Sequence, residues 1–220
     1  MTTRRLVIAS AFLAFAALPA FADERVYDLP AFDRIDVSAG IKVVALVGEP
    51  QTVSVRTVHG DFSDLEIGVR DGELSISREW NRLRWHSKRV EYKVSVSTPD
   101  LTGIAASSGS YAEISNVDAP TFEIDLSSGA HAEIKGVCGN CAVDLSSGAN
   151  LDAQTLLCER ADIDVSSGGH GTLSVIEAVN GDASSGGHVS VYGNPKIVNV
   201  DRSSGGRIKI KSDDNHVSRN

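Results

Sequence analysis

Large aromatic side chains are scarce in this chain, and so are long apolar runs. Phe, Trp and Tyr make up 5% of the 220 residues. A core of bulky rings is therefore excluded, and a narrow core of Val, Ile, Leu and Ala is favoured. Beyond the first 22 residues, no segment is apolar enough to span a membrane as a helix.

The sequence patterns of common catalytic sites are missing as well. The chain has no Gly-x-Ser-x-Gly, His-Glu-x-x-His or Ser-x-x-Lys pattern, and no glycine-rich phosphate loop. Its many serines precede glycines at predicted corners, where turn chemistry accounts for them. We therefore predict a protein that is not an enzyme and holds no cofactor.

Basic residues are outnumbered by acidic ones. The chain has 21 Lys and Arg against 29 Asp and Glu, which gives a net charge of −8 at pH 7. A surface this acidic repels a polyanion, so nucleic acid is not an expected partner.

The first 22 residues have the pattern of a secretory signal peptide. Arg4 and Arg5 precede an apolar run over 6–18, and Ala20-Phe21-Ala22 matches a small-residue cleavage site. We predict cleavage after Ala22 and a periplasmic or secreted protein without a transmembrane segment. An uncleaved anchor is the alternative, although the apolar run is short for a membrane helix.

One phrase, Ser-Ser-Gly, returns six times between Leu101 and Lys211. Successive copies are 20, 19, 20, 18 and 19 residues apart. A fixed period of this kind indicates one supersecondary unit per copy, each stacked on the next. The first serines are Ser107, Ser127, Ser146, Ser166, Ser184 and Ser203.

Apolar and polar residues alternate on both sides of each Ser-Ser-Gly, as in Phe122-Glu123-Ile124-Asp125-Leu126. This alternation is typical of strands with one buried face, and the glycine suits a tight corner. A coil of about 19 residues is too short for a crossover helix, which requires roughly 30. We therefore predict an all-β, right-handed parallel β-helix, or β-solenoid. A meander of antiparallel hairpins is disfavoured because Asn-Gly turns are scarce.

Residues 23–100 are predicted to form a β-rich N-terminal module that is continuous with the solenoid and caps it. The phrase Ile35-Asp36-Val37-Ser38-Ala39-Gly40 is an altered copy of the repeat. Strands are predicted at 52–56, 65–69, 73–77 and 90–97, with Asp71-Gly72 as a hairpin turn. Residues 101–211 are the repeat region, and 212–220 form a polar tail.

The segment 78–89 contains both tryptophans and five basic residues against one acidic residue. Exposed Trp and Arg side chains could stack on sugar rings or dock on an anionic surface. The alternative is a loop whose tryptophans cover the solenoid end, with arginine stems lying against them. The candidate binding residues are Trp80, Arg82, Arg84 and Trp85.

Two of the three cysteines occupy the same place in adjacent coils. Cys138 and Cys158 each lie eight residues before a repeat serine, and this spacing suits a disulfide in an exported protein. The alternative is a local redox pair of Cys138 and Cys141, a weak signal outside a βαβ unit.

Stacking would also place polar residues in columns. One column holds an Asp two residues before each of five repeat serines, and Asp36 takes the same place in the early phrase. It could bind Ca²⁺ or supply an acid pair for glycan cleavage, but a solvated acidic stripe is the simpler interpretation. Another column brings His170 and His188 together as weak candidates for a metal site that lacks a third ligand.

These phrases resemble the head GIN domain family of exported bacterial proteins, which are described as autotransporter adhesins. The family opens on Phe-x-x-Ile-x-Val-x-x-Gly-Ile-x-Val, which residues 32–43 match. The Asn that gives the motif its name is Lys42 here. The likeness extends from about Phe32 to Ile210 and implies an exported solenoid with an adhesin-like role.

Three functional hypotheses follow. The first is a non-enzymatic, adhesin-like or envelope-associated module that binds a glycan, a surface or a protein partner. The second is a polysaccharide-active enzyme, which requires a basic residue that faces two or more carboxylates across a cleft. The third is a purely structural envelope protein. The sequence does not indicate an oligomeric state.

Overall fold

The computed structural model describes residues 23–57, 62–79 and 90–211. The predicted signal peptide, the candidate residues Trp80, Arg82, Arg84 and Trp85, and the polar tail 212–220 lie outside these ranges. Within them all regular secondary structure is β-strand. No helix in this part of the chain is long and apolar enough to cross a membrane.

Fifteen strands follow one another along the described chain. They are β1 (Asp23–Tyr27), β2 (Arg34–Val37), β3 (Lys42–Val47), β4 (Thr52–Thr57), β5 (Leu65–Arg70), β6 (Glu73–Arg78), β7 (Tyr92–Thr98), β8 (Gly103–Ala106), β9 (Tyr111–Leu126), β10 (His131–Leu145), β11 (Asn150–Val165), β12 (His170–Ala183), β13 (His188–Tyr192), β14 (Ile197–Arg202) and β15 (Arg207–Ile210).

The alternation seen in the sequence becomes the division between core and surface. In β9, Phe122, Ile124 and Leu126 are buried while Glu123 and Asp125 are exposed. Equivalent residues of successive coils lie one above another, so a single apolar column runs through the stack. The core is mostly Val, Ile, Leu and Ala, as the low aromatic content predicts.

Each Ser-Ser-Gly forms a tight corner with two residues at positive φ. At the corner between β9 and β10, Ser128 has φ 50° and Gly129 has φ 73°. The amide of Ala130 donates to the carbonyl of Ser127 at 3.0 Å, as in a type I′ turn. The amide of Gly129 donates to the carbonyl of Ser147 in the next coil at 3.1 Å, so the corners are also bonded to one another. The sequence indicated the left-handed glycine but not the left-handed serine.

Successive coils pair in parallel, which confirms the predicted solenoid and excludes the antiparallel meander for the repeats. Two outward faces are distinguished by their strands. The ring face is formed by β1, β4, β7, β3, the first parts of β9 to β12, β13 and β15. The aspartate face is formed by β5, β6, β2, β8, the last parts of β9 to β12, and β14.

The N-terminal strands are stacked in a different order from the chain. Strands β6 and β7 pair in parallel with β2 and β3, which in turn pair with β8 and β9. The coil built from β6 and β7 follows the β2–β3 coil in sequence, but it lies on the side of that coil that faces away from the repeats. Antiparallel strands β4, β1 and β5 then cover this end. The N-terminal part is thus continuous with the solenoid, as predicted, while its division from the repeats at residue 100 stays a prediction.

Two glycines allow the cost of the corner geometry to be measured. A Cβ added at Gly148, where φ is +74°, or at Gly68, where φ is not in the left-handed region, meets no atom within 4 Å. We expect Gly148→Ala to lower the free energy of unfolding by about 1–2 kcal/mol, because an L-residue is strained there. Gly68→Ala should be neutral or stabilising by up to about 1 kcal/mol. Urea unfolding of both variants checks this, and equal effects would contradict it.

Candidate functional site

The aspartate face carries a column of carboxylates in adjacent strands. Backbone register places Asp125 beside Asp144, Asp144 beside Asp164, Asp164 beside Asp182 and Asp182 beside Asp201. Ala105 separates this run from Asp36. The side chains point outward, because the residues on either side of each Asp point into the core. Neighbouring carboxylates are spaced by about 4.8 Å, the distance between paired strands.

The crowding of like charges changes the proton affinity of this column. Partial burial raises the pKa of Asp144 above its usual value of 3.8, and the carboxylates of Asp125 and Asp164 raise it further. Burial also raises the pKa of Asp36, with contributions from Glu73 and Asp125. Both shifts mean that the folded protein holds these carboxylates in their charged form at a cost.

A second outward column beside the aspartates is partly compensated by contacts within the sheet. The guanidinium of Arg34 lies 2.6 Å from Glu123 and 3.9 Å from Glu73. Gly103 stands between Arg34 and Glu123, and its missing side chain lets the arginine reach across β8. Farther along, the Nδ2 of Asn180 donates to Asp162 at 2.9 Å.

Between the two columns lies an open depression of about 440 Å³, lined by Arg34, Glu123 and the central aspartates. Its carboxylates all arise from one sheet surface, so they form a row and do not enclose a point. Such a row can attract cations or cationic groups. A glycosidase instead places two carboxyl groups on either side of the bond that is cleaved.

The ring face carries stacked side chains beside the corners. Tyr111 and His131 stack at 5.2 Å between ring centroids, and His170 and His188 stack at 5.5 Å. Lys42 lies 4.4 Å from the centroid of Tyr111. Burial raises the pKa of Tyr111 to about 12, and the carboxylates of Glu133 and Glu113 add to the shift.

The imidazoles of His170 and His188 are close but poorly oriented for a shared metal. Their ring planes differ by only 8°, so the nitrogen lone pairs lie in parallel planes and do not converge. The Nδ1 atom of His188 lies 2.6 Å from the carbonyl oxygen of Gly186. The pair is explained by stacking within the column.

A compact polar cluster holds the two ends of the segment that contains the tryptophans. The guanidinium of Arg78 lies 3.4 Å from Asp64 and 4.6 Å from the ring centroid of Tyr92, and it donates to the carbonyl of Val90. The hydroxyl of Tyr92 donates to Asp64. Phe62 stacks on Tyr92 with 6.1 Å between centroids. Because Arg78 and Val90 flank residues 79–89, their contact joins the two ends of that segment.

One known protein family has a sequence profile that this chain matches. The sequence profile of the family described as "Putative auto-transporter adhesin, head GIN domain" matches residues 31–195. The match spans the first repeat-like phrase and most of the coils. The chain belongs to the head GIN domain family. No curated protein matches the chain.

Solved structures share the head GIN fold with this chain at low sequence identity. A putative adhesin from Bacteroides fragilis is 16% identical, with a TM-score of 0.66, and the match covers 86% of this chain and 96% of that one. A putative adhesin from Parabacteroides merdae is 10% identical, with a TM-score of 0.57, and the match covers 86% and 95% of the two chains. Likeness at this identity extends to the fold alone.

The cysteines of this head GIN protein meet at the inner edge of two coils. A disulfide joins Cys138 to Cys158, the pair that the sequence spacing favours, with 4.5 Å between the Cα atoms. Cys141 is buried and free, and its Sγ lies within 4.8 Å of both disulfide sulfurs. Burial raises the pKa of the Cys141 thiol to about 12. With two of the three sulfurs bonded together, the cluster offers no set of thiolates for a metal.

Sequence reasoning missed the residues that act through long-range contacts. Arg78, Asp64 and Tyr92 lie in three separate stretches of the chain, and no spacing rule links them. Arg34 was also missed, although the Gly103 that gives it room is visible as a break in the outward column. The aspartate and ring columns were found, because they repeat with the coil.

The charge on the aspartate column leads to a pH-dependent prediction. The folded protein binds a proton at Asp144 more tightly than the unfolded chain does, so this residue lowers stability as the pH rises above about 3.8. Asp144→Asn should therefore raise the free energy of unfolding at pH 7 by about 0.5 kcal/mol, and the gain should vanish near pH 3. Urea unfolding across this range tests it. Glu91→Gln, outside the column, is the control, and an equal gain there would contradict the explanation.

The disulfide gives a prediction that is independent of charge. Ala119 occupies the place of Cys138 in the preceding coil, so alanine fits at this level of the core. The double variant Cys138→Ala/Cys158→Ala should lose about 3 kcal/mol of unfolding free energy, and a reductant should no longer affect its stability. Cys141→Ala is the control and should keep the response to reductant. Insensitivity of the unaltered protein to a reductant that opens the bond would refute this role.

Proposed function

We propose that this head GIN protein is an exported, non-enzymatic binding module of adhesin-like or envelope-associated type. Its partner is a glycan, an envelope surface or a protein, and its contact site is the segment with Trp80, Arg82, Arg84 and Trp85. Export rests on the predicted signal peptide, cut after Ala22. Family membership supports the adhesin-like role.

The observation that carries this proposal is the cluster of Arg78, Asp64 and Tyr92. It brings together Arg78 and Val90, which flank the proposed contact segment. The side chain of Arg78 is only 11% exposed, so the ion pair with Asp64 is shielded from solvent. Binding residues are commonly presented in this way, on a connection held by a rigid scaffold.

The chemistry of the segment suits a partner with sugar rings or negative charge. Tryptophan faces stack on the apolar side of sugars, and arginine forks bind carboxylate or phosphate oxygens. The mature chain is acidic overall, so a basic segment of this kind is a place where an anionic surface can approach.

A polysaccharide-active enzyme is the second candidate, because Arg34 contacts two carboxylates, although that hypothesis places them across a cleft. Glu73 and Glu123, however, lie beside Arg34 on the same sheet surface, and no cleft wall faces them among the described residues. A substrate on this open face would meet carboxylates from one side only, which does not suit general acid–base cleavage. The binding hypothesis is therefore preferred.

The double variant Trp80→Ala/Trp85→Ala tests the proposal. We expect mature protein to bind on a glycan array or to an isolated envelope fraction, and the variant to lose at least about tenfold in affinity, as for aromatic hot-spot residues. Val137→Ala/Leu157→Ala is the matched control, because it removes two exposed apolar side chains elsewhere. Circular dichroism must first show that both variants fold.

Three other outcomes of this experiment would contradict parts of the proposal. Binding that survives in the tryptophan variant would move the contact site off this segment. Absence of binding by every protein would favour the purely structural role. A glycan that is shortened during the assay would overturn the non-enzymatic assignment, and Asp144→Asn and Arg34→Ala would then show whether the aspartate face is responsible.

A further inference from the structure

The two ends of the strand stack are both incomplete. On the ring face, the path of paired strands begins at β1 and finishes at β15. On the aspartate face, β5 pairs only with β6, and β14 pairs only with β12, within the described part of the chain. Each end therefore presents two strand edges with unpaired backbone groups, which readily accept a further strand.

Apolar residues are left partly uncovered at the C-terminal end. Val198 is 43% exposed, although its partner one coil back, Val179, is fully buried. Ile210 is 39% exposed, whereas its partner Val191 is buried. The core column thus reaches the end of the stack without a cover among the described residues, and burying it would be favourable.

The N-terminal end has a matching apolar edge. In β5, Leu65, Ile67 and Val69 lie against the core but are only partly buried. They belong to the same face of the stack as Val198 of β14. A second copy placed end to end would set β5 against β14 and β1 against β15.

Strand lengths and directions agree with this placement. Strands β5 and β14 each have six residues, while β1 has five and β15 has four. The alternation of antiparallel and parallel pairs along the path makes β1 run in the same direction as β15. A copy translated along the stack axis would thus continue the ring face as a parallel pair and the aspartate face as an antiparallel pair.

Charge decides between the ways in which two copies could meet. The last coil carries five basic residues and one acidic residue, which are Lys196, Arg202, Arg207, Lys209, Lys211 and Asp201. The opposite edge strand β1 carries Asp23 and Glu24 against Arg25. Two C-terminal ends repel each other, whereas a C-terminal end attracts the β1 edge. By strand register, Glu24 and Arg207 lie in one outward column of the ring face, so a translated copy sets them opposite each other.

We propose that the chain associates with copies of itself head to tail, with β14 and β15 of one copy pairing with β5 and β1 of the next. The contact is heterologous, so it does not close and produces a series of growing oligomers. This inference uses the ends of the stack and does not depend on the proposed contact segment.

Sedimentation equilibrium of mature protein, in low and high salt, tests the proposal. The weight-average mass should rise with concentration without reaching a plateau, and 1 M NaCl should reduce the rise, because the attraction is partly electrostatic. Monomer at every concentration, or a dimer that does not grow, would overturn the proposal.

A charge swap tests which residues of the two copies face each other at the contact. Arg207→Glu and Glu24→Lys should each weaken association about tenfold or more, since each puts like charges on facing edges. The double variant Glu24→Lys/Arg207→Glu restores opposite charges and should recover most of the association. Lys135→Glu, on an exposed site of an internal coil, is the control. Association that is unchanged in both single variants would refute the placement.

Discussion

The hydrogen bonding between successive corners is the constraint on which the rest of this protein depends. A corner has to turn the chain within two residues, bond to itself and also bond to the next coil, and Ser-Ser-Gly does all three. The second serine adopts a left-handed backbone conformation. Its carbonyl accepts a hydrogen bond from the amide of the glycine in the preceding coil. This link fixes the strand register on both sides of the corner, and register in turn aligns the columns there.

The side-chain columns and the disulfide are consequences of that alignment. A residue type that is repeated at one position of the coil forms a row of side chains about 4.8 Å apart. The chemistry of those side chains decides whether neighbours attract or repel one another. Rings gain stacking partners in this way, and cysteines in adjacent coils come close enough to bond. Carboxylates instead repel one another. The cluster around Arg78 is the exception, since it arises from the non-repetitive strands and is built from three distant stretches of chain.

How much could be predicted from the sequence depended on whether a feature repeats. The six Ser-Ser-Gly phrases were enough to predict the solenoid and the aspartate and ring columns, because each is a local pattern seen several times. The strands 52–56, 65–69 and 73–77 were also found, since each alternates and the last two flank Asp71-Gly72. The placement of β6 and β7 below β2 and β3 could not be predicted, because no local signal marks a coil that is inserted out of order. The contacts of Arg78 with Asp64 and Val90 were missed because these residues lie in separate stretches of the chain and no spacing rule links them.

That inverted order shapes how the chain can fold. In the repeats, Tyr111 pairs with His131, so each new coil finds its partner about one period away and growth can proceed by short steps. At the cap, Lys42 pairs with Lys93, and the loop to be closed is more than twice as long. The strand pair β2–β3 therefore waits, exposed on one edge, until residues beyond Thr98 are available. A chain that has not finished folding is therefore most open to proteases and to misassembly at its N-terminal end.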